Sequence, residues 1–175
     1  SNEILPYELA DFPGRSFYRN TGATERYGLE FAANFSWNTW QLQTSFTQAS
    51  YCFSGLEDVS DSLKGNDLPG IPSTQIFMQL EYSTPSSWQF QLTAEHIGRL
   101  FANNQNTVAV DAYQKVRLQA SKGIALSWGE LSFFGGVNNL FDVRYYDNIR
   151  LNAFGSRHFE PAPGRNLFGG LSIAF

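Results

Sequence analysis

Charge is scarce in this chain, and so are the residues that could cross-link it. Only 16% of its 175 residues are Asp, Glu, Lys or Arg, against about 25% in a typical soluble domain. The balance is slightly acidic, net -4, with no basic cluster. That argues against nucleic acid as a partner, because nucleic acid calls for a basic patch. The single cysteine, Cys52, leaves no intramolecular disulfide to form and no cysteine-rich metal site to build. No run of about 20 apolar residues is present, so no transmembrane helix is available. No secretory leader stands at Ser1-Asn2-Glu3, and the chain is expected to be mature, truncated or a fragment.

What the chain has in plenty is aromatic residues, 16% of the sequence, set in period-two alternation. The ending shows it best. Leu167, Leu171, Ile173 and Phe175 share one face of a strand, and Asn166, Ser172 and Ala174 lie on the other. An open apolar strand ending on Phe invites aggregation in water. A closed barrel in a bilayer tolerates it, because closure removes the edge and lipid solvates the outer face. The same alternation predicts strands near residues 3–9, 24–35, 40–51, 73–82, 88–99, 111–121, 130–137 and 166–175. Each is close to the roughly 9–11 residues that cross a bilayer at a tilt. One face of these strands is apolar, and the other is rich in Gln, Glu, Thr and Ser. A soluble barrel of this strand number would instead fill its interior with apolar side chains. Leu29, Phe31, Leu42, Phe90, Leu92, Leu118, Ile173 and Phe175 are therefore expected to face lipid. Glu30, Gln43, Gln79, Glu95 and Arg117 are expected to face the lumen.

The connections alternate in length. Residues 36–39, 83–87 and 122–129 are short; 10–23, 52–72, 100–110 and 138–164 are longer. Outer-membrane barrels have short periplasmic turns and long extracellular loops. With the C-terminus at the periplasm, Trp37, Trp40, Tyr82, Trp88 and Trp128 fall on the short-turn side, where amphipathic rings form an interfacial girdle. The fold class is thus all-β, an antiparallel transmembrane β-barrel segment of about eight up-and-down strands.

Several stretches resemble the C-terminal barrel portion of TonB-dependent outer-membrane receptors. Asn139-Leu140-Phe141-Asp142 followed by Tyr145-Tyr146 looks like the family's signature near the penultimate strand. Phe159-Glu160-Pro161-Ala162-Pro163-Gly164-Arg165 looks like its lead-in to the last strand, which here ends at Phe175. Asn66-Asp67-Leu68-Pro69-Gly70-Ile71-Pro72, Phe17-Tyr18-Arg19-Asn20 and Gly28-Leu29-Glu30 match further common elements. The resemblance implies the C-terminal part of a barrel of about 22 strands with a plugged lumen. It implies an outer-membrane receptor for TonB-dependent uptake of a scarce nutrient, most often a ferric siderophore, with the TonB complex and outer-membrane lipids as partners. Residues 1–175 are read as barrel alone, with the plug and the TonB-contacting segment absent from them. Gly169 departs from the pattern, standing where the family places a hydrophobe.

The motifs themselves read first as architecture. Gly135-Gly136 allows close approach of neighbours. Asn139 and Asp142 are turn formers at a strand exit. Pro161 and Pro163 stiffen the approach to the last strand. No catalytic constellation, metal site or cofactor is expected. His96 follows Glu95 in a strand, so the two point to opposite faces. Glu57, Asp58 and Asp61 have no ordered cation-loop pattern around them. The candidate ligand-facing residues are Arg144, Tyr145, Tyr146, Arg150, Arg157 and His158 in the long last loop, because Arg forks and aromatic rings suit anionic chelates. Exposed loop charge that serves only as surface remains an alternative. Two other readings stay open: a small self-contained barrel of structural or adhesive type, and a hydrolase built on such a barrel.

Overall fold

The computed structural model describes residues 2–55 and 63–175; Glu57, Asp58 and Asp61 lie outside them. Eight strands form one antiparallel sheet: β1 (Asn2–Glu8), β2 (Ser16–Trp37), β3 (Trp40–Gly55), β4 (Thr74–Ser83), β5 (Trp88–Ile97), β8 (Tyr113–Leu126), β9 (Gly129–Asn138) and β12 (Asn166–Ala174). Neighbours in the sheet follow chain order, an up-and-down meander. Two small hairpins sit in the long connections, β6 (Leu100–Phe101) with β7 (Ala109–Val110) and β10 (Tyr146–Ile149) with β11 (Phe159–Pro161). Among the described residues no pairing joins β12 to β1, so the sheet is an open arc.

The register turns the alternation into a two-faced wall. Phe35, Leu42, Leu80, Leu92, Leu118, Val137 and Leu167 are successive cross-strand neighbours through β2, β3, β4, β5, β8, β9 and β12. The adjacent row, Ser36, Gln41, Glu81, Gln91 and Gln119, points to the other face. There the Gln79 and Gln91 amides both donate to Glu81 Oε1, at 2.8 and 2.9 Å. Leu29, Phe31, Phe90, Leu118, Ile173 and Phe175 are all exposed on the apolar face. Leu42 and Leu92 share that face by register, while Glu30, Gln43, Gln79, Glu95 and Arg117 share the polar one. Among the described residues no buried core takes up the apolar set; these side chains are presented outward, as a lipid-solvated surface requires. Buried apolar side chains gather instead beyond the sheet's middle, where Phe53, Leu63 and Leu68 pack with Tyr51 and Ile71 under the long loops.

The girdle on the short-turn side is a chain of ring contacts. Trp40 meets Tyr82 at 4.4 Å between centroids, Trp88 meets Phe90 at 5.9 Å, and Trp128 meets Phe175 at 5.6 Å.

Several boundaries differ from the sequence expectation, among them the 36–39 turn, which shrinks to Asn38-Thr39, and β3, which runs on to Gly55. The connection expected at 10–23 is mostly strand, because β2 begins at Ser16 and pairs with β1 there. At 22 residues β2 outruns a bilayer-crossing strand about twofold, so its first half projects beyond the membrane and needs no apolar stripe. The connection expected at 122–129 shrinks to Ser127-Trp128, since Ile124 and Leu126 keep the alternation and pair with Leu131 and Gly129. The last two differences are the hairpins β6–β7 and β10–β11, which occupy segments expected to be loop.

Candidate functional site

The long last connection starts from a clasp. Asn139 is buried and left-handed at φ 49°, and Asp142 is left-handed at φ 55°. The side chain of Asn139 bridges the turn that follows it: Val143 N donates to its Oδ1 at 2.9 Å, and its Nδ2 donates to the Val143 carbonyl at 2.9 Å. The Nδ2 also reaches the Pro163 carbonyl at 3.5 Å. Asp142 Oδ1 accepts from Arg165 N at 2.7 Å. The two segments that stood out in the sequence, 139–142 and 159–165, thus grip each other where β9 ends and β12 begins. Asn138 Nδ2 donates to Asn166 Oδ1 at 2.9 Å one step below. Asn139→Ala would strand the half-buried Val143 amide and is expected to cost about 1–3 kcal/mol. Loss of heat-resistant gel mobility of the assembled receptor at a lower temperature is the measurement that checks it.

Asparagines join the loops into one layer. Asn66 Nδ2 donates to the Asn104 carbonyl at 2.9 Å, and Asp67 N donates to Asn106 Oδ1 at 2.7 Å. Asn104 N donates to Asn152 Oδ1 at 2.9 Å, and Asn152 Nδ2 donates to Asn104 Oδ1 at 3.0 Å. Gly70 N donates to the Phe101 carbonyl at 2.8 Å. The β3–β4, β5–β8 and β9–β12 connections are therefore cross-bonded rather than independent.

Beneath this layer the polar face of β4, β5 and β8 opens into a cavity of about 520 Å³. Tyr145, Lys115, Arg117, Glu95 and Asp147 line it. Lys115 Nζ is 3.1 Å from Glu95 Oε2 and 5.6 Å from the Tyr145 ring centroid. Tyr145 stacks on Tyr113 at 5.0 Å and 25°. Arg117 donates from Nη2 to Gln119 Oε1 at 2.6 Å, and its guanidinium carbon lies 4.7 Å from the Phe168 ring centroid. Lys115 is thus shared between Glu95 and an aromatic face, whereas Arg117 meets a neutral amide and an aromatic face, which leaves its charge attractive to an anion.

The six loop residues singled out by sequence do not share one place. Tyr145 lines the cavity. Tyr146 is half-exposed and stacks on Phe159 at 4.4 Å. Arg150 donates from Nε and Nη2 to Glu160 Oε1, at 2.9 and 2.7 Å. Hydrogen bonds from Arg150 and Asn148 hold the Glu160 carboxyl below the usual carboxylate range, so the pair stays ionised at neutral pH. His158 is buried and donates from Nδ1 to the Arg150 carbonyl at 3.1 Å. Arg144 and Arg157 are exposed. The structure thus brings Tyr145 to the barrel wall and gives Tyr146, Arg150 and His158 to the packing of the β10–β11 hairpin. Tyr113, Lys115 and Asp147 were not singled out as ligand-facing. The signal for the first two is in the sequence: Tyr113, Lys115 and Arg117 repeat every second residue on the polar face of one strand.

With this geometry in place, comparison with known proteins is informative. The sequence model of a family described as TonB-dependent receptor-like β-barrel matches residues 1–140. Among solved structures the chain is similar to BauA, the ferric preacinetobactin receptor from Acinetobacter baumannii, at 16% identity and TM-score 0.73, over 100% of this chain and 25% of that one. It is similar to the ferric citrate transporter FecA in its unliganded form, at 18% identity and TM-score 0.75, over 87% of this chain and 24% of that one. The siderophore receptor PiuA from A. baumannii gives 20% identity and TM-score 0.71, over 97% of this chain and 24% of that one. The chain spans about a quarter of the length of the receptors it matches.

Proposed function

The chain belongs to the TonB-dependent receptor β-barrel family, and on that premise we propose that it forms wall and mouth of an outer-membrane transporter for an anionic ferric siderophore. Members of this family are receptors and transporters of the outer membrane, not enzymes. The observation that carries the proposal is the cavity of about 520 Å³ under the loop layer. It offers Arg117, bonded to the neutral Gln119 amide and backed by Phe168, beside a Lys115 that Glu95 pairs and Tyr145 flanks. Exposed Arg144 and Arg157 at the rim make first contact with the ligand, and the cavity receives it. The order of events is binding at the mouth, rearrangement of a plug in the lumen, and passage of the ligand inward. The TonB complex supplies the pull through residues other than these strands. Arg150 enters this scheme as a brace for the hairpin, since its fork is engaged by Glu160.

The alternative of a small closed barrel is disfavoured by the open order of the sheet, in which β1 and β12 are the two edges. The deciding experiment measures affinity of the full-length receptor for iron complexes of citrate and of catecholate. Arg117→Ala is expected to weaken binding by roughly tenfold or more, because a hydrogen bond to a charged group contributes about 1.5–3 kcal/mol, and Lys115→Ala, which leaves Glu95 unpaired at the cavity wall, should weaken it too. Tyr145→Ala should weaken it as well. Unchanged affinity in all three variants, with the barrel assembled, would leave this arc as scaffold and overturn the assignment.

A further inference from the structure

The outward face carries a groove for which the transport reading has no use. Along one row of the periplasmic girdle, large rings give way to small residues: Trp40, Tyr82 and Phe90 are followed across the sheet by Ala120, Gly135 and Gly169. The step leaves a depression of about 390 Å³, walled by Tyr82, Phe90, Leu92 and Leu118 and floored by Ala120 and Gly135. At its turn-side end stands Lys122, on the same face as Ala120 and paired across strands with Trp88 and Phe133. Its Nζ lies 5.2 Å from the Trp88 ring centroid.

Lys122 is exceptional in its direction. From Trp40 to Phe175 it is the one Lys, Arg, Asp or Glu on the outward face of the sheet's described strands. Glu81, Glu95, Lys115, Arg117 and Glu130 all alternate inward. A lone cation on a lipid-facing surface is costly unless it meets an anion or reaches the interface. Here it bends onto the girdle's Trp88, which places the charge at headgroup level with an apolar channel beside it.

We propose that Lys122 and this groove form a binding site for an anionic phospholipid of the periplasmic leaflet. The phosphate sits on Lys122 beside Trp88, and one acyl chain lies over Ala120 and Gly135. The direction is right for a lipid. From Lys122 through Ala120 to Leu118, β8 runs away from the Ser127-Trp128 turn and toward the bilayer centre. Charge sets the headgroup class, and the apolar walls accept a chain without leaving a polar group unmet. The inference rests on the outer-membrane placement of the family and is independent of the transported ligand.

Native mass spectrometry of the full-length receptor, incubated with phosphatidylglycerol or phosphatidylcholine of matched chains, tests it. Phosphatidylglycerol should be retained about fivefold better, the effect of one cation at an anionic headgroup. Lys122→Gln should erase the preference and Lys122→Arg should keep it. Gly135→Leu should fill the groove and reduce retention of both lipids; the backbone accepts it, as the nearest atom to a Cβ there is the Phe168 carbonyl oxygen at 3.5 Å. Siderophore affinity should be unchanged in these variants. Equal retention of the two lipids by the unmodified receptor, a preference that survives Lys122→Gln, or undiminished retention in Gly135→Leu would each overturn the site.

Discussion

Leu118→Arg is expected to destabilise the assembled barrel by about 2–4 kcal/mol, the cost of a guanidinium at the lipid-facing midplane. Leu118 lies between Leu92 and Val137 in the apolar row that runs through seven strands, and it is exposed on that face. Its neighbour in sequence, Gln119, points to the lumen between Gln91 and Gly136. Gln119→Arg gives up the acceptor of Arg117 and sets two cations side by side, about 1 kcal/mol, and should still cost clearly less than Leu118→Arg. Urea unfolding of the full-length receptor in vesicles measures both. A similar cost for the two variants would mean that the faces are not solvated differently, and the membrane assignment of the sheet would fail.

Gly136→Val should cost about 1–3 kcal/mol as an overpacking substitution, whereas Gly135→Val should be nearly neutral. The two glycines differ by face. A Cβ at Gly136 would sit 2.6 Å from Phe168 Cζ and against the Leu118 carbonyl oxygen. The Phe168 ring lies flat over Gly136, its cross-strand partner, and the Phe134 ring lies in the same way over Gly170. The two rings are 6.4 Å apart. Each aromatic covers the bare backbone of the opposite strand, a known device for rescuing glycine in sheets. Truncating the ring as well, in Gly136→Val with Phe168→Ala, should recover part of the loss. The size of that recovery, from a double-mutant cycle on melting temperature, reports the ring-on-glycine contact directly. Additive losses would mean that the ring does not rest where Gly136 makes room for it.

How much of this was legible in the sequence depends on which physical signal each part leaves. Strands that cross the membrane leave a strong one, because lipid on one side and water on the other force period-two alternation. That is why the centres of β3, β4, β5, β9 and β12 lie where alternation places them. Beyond the bilayer the demand lapses. The first half of β2 shows no clean stripe, and the hairpins β6–β7 and β10–β11 are held by hydrogen bonds and local ring stacks that leave no periodic trace. Function follows the same division. Arg117 and residues of the same polar face such as Glu95 were readable as lumenal from alternation alone. The stacking of Tyr145 on Tyr113 was not, since residues 32 apart in sequence meet only after the loop folds back. Nor was the capture of Arg150 by Glu160, which depends on the hairpin register. Composition of a loop identifies groups able to bind a ligand; it does not say which are already occupied by one another.

The asparagine bonds between the loops bear on the entropy of capture. Three separate flexible loops closing over a ligand would each lose conformational freedom at that moment, about 1–2 kcal/mol for every backbone residue that becomes fixed. Here Asn66, Asn104, Asn106 and Asn152 have fixed the connections to one another in advance. Among the described residues the β5–β8 connection is the middle member, bonded on one side to Asn66 and Asp67 and on the other to Asn152, so displacing it breaks bonds to both neighbours. A guest arriving at these bonded segments finds part of the ordering already done, so less of its binding free energy is lost to freezing them.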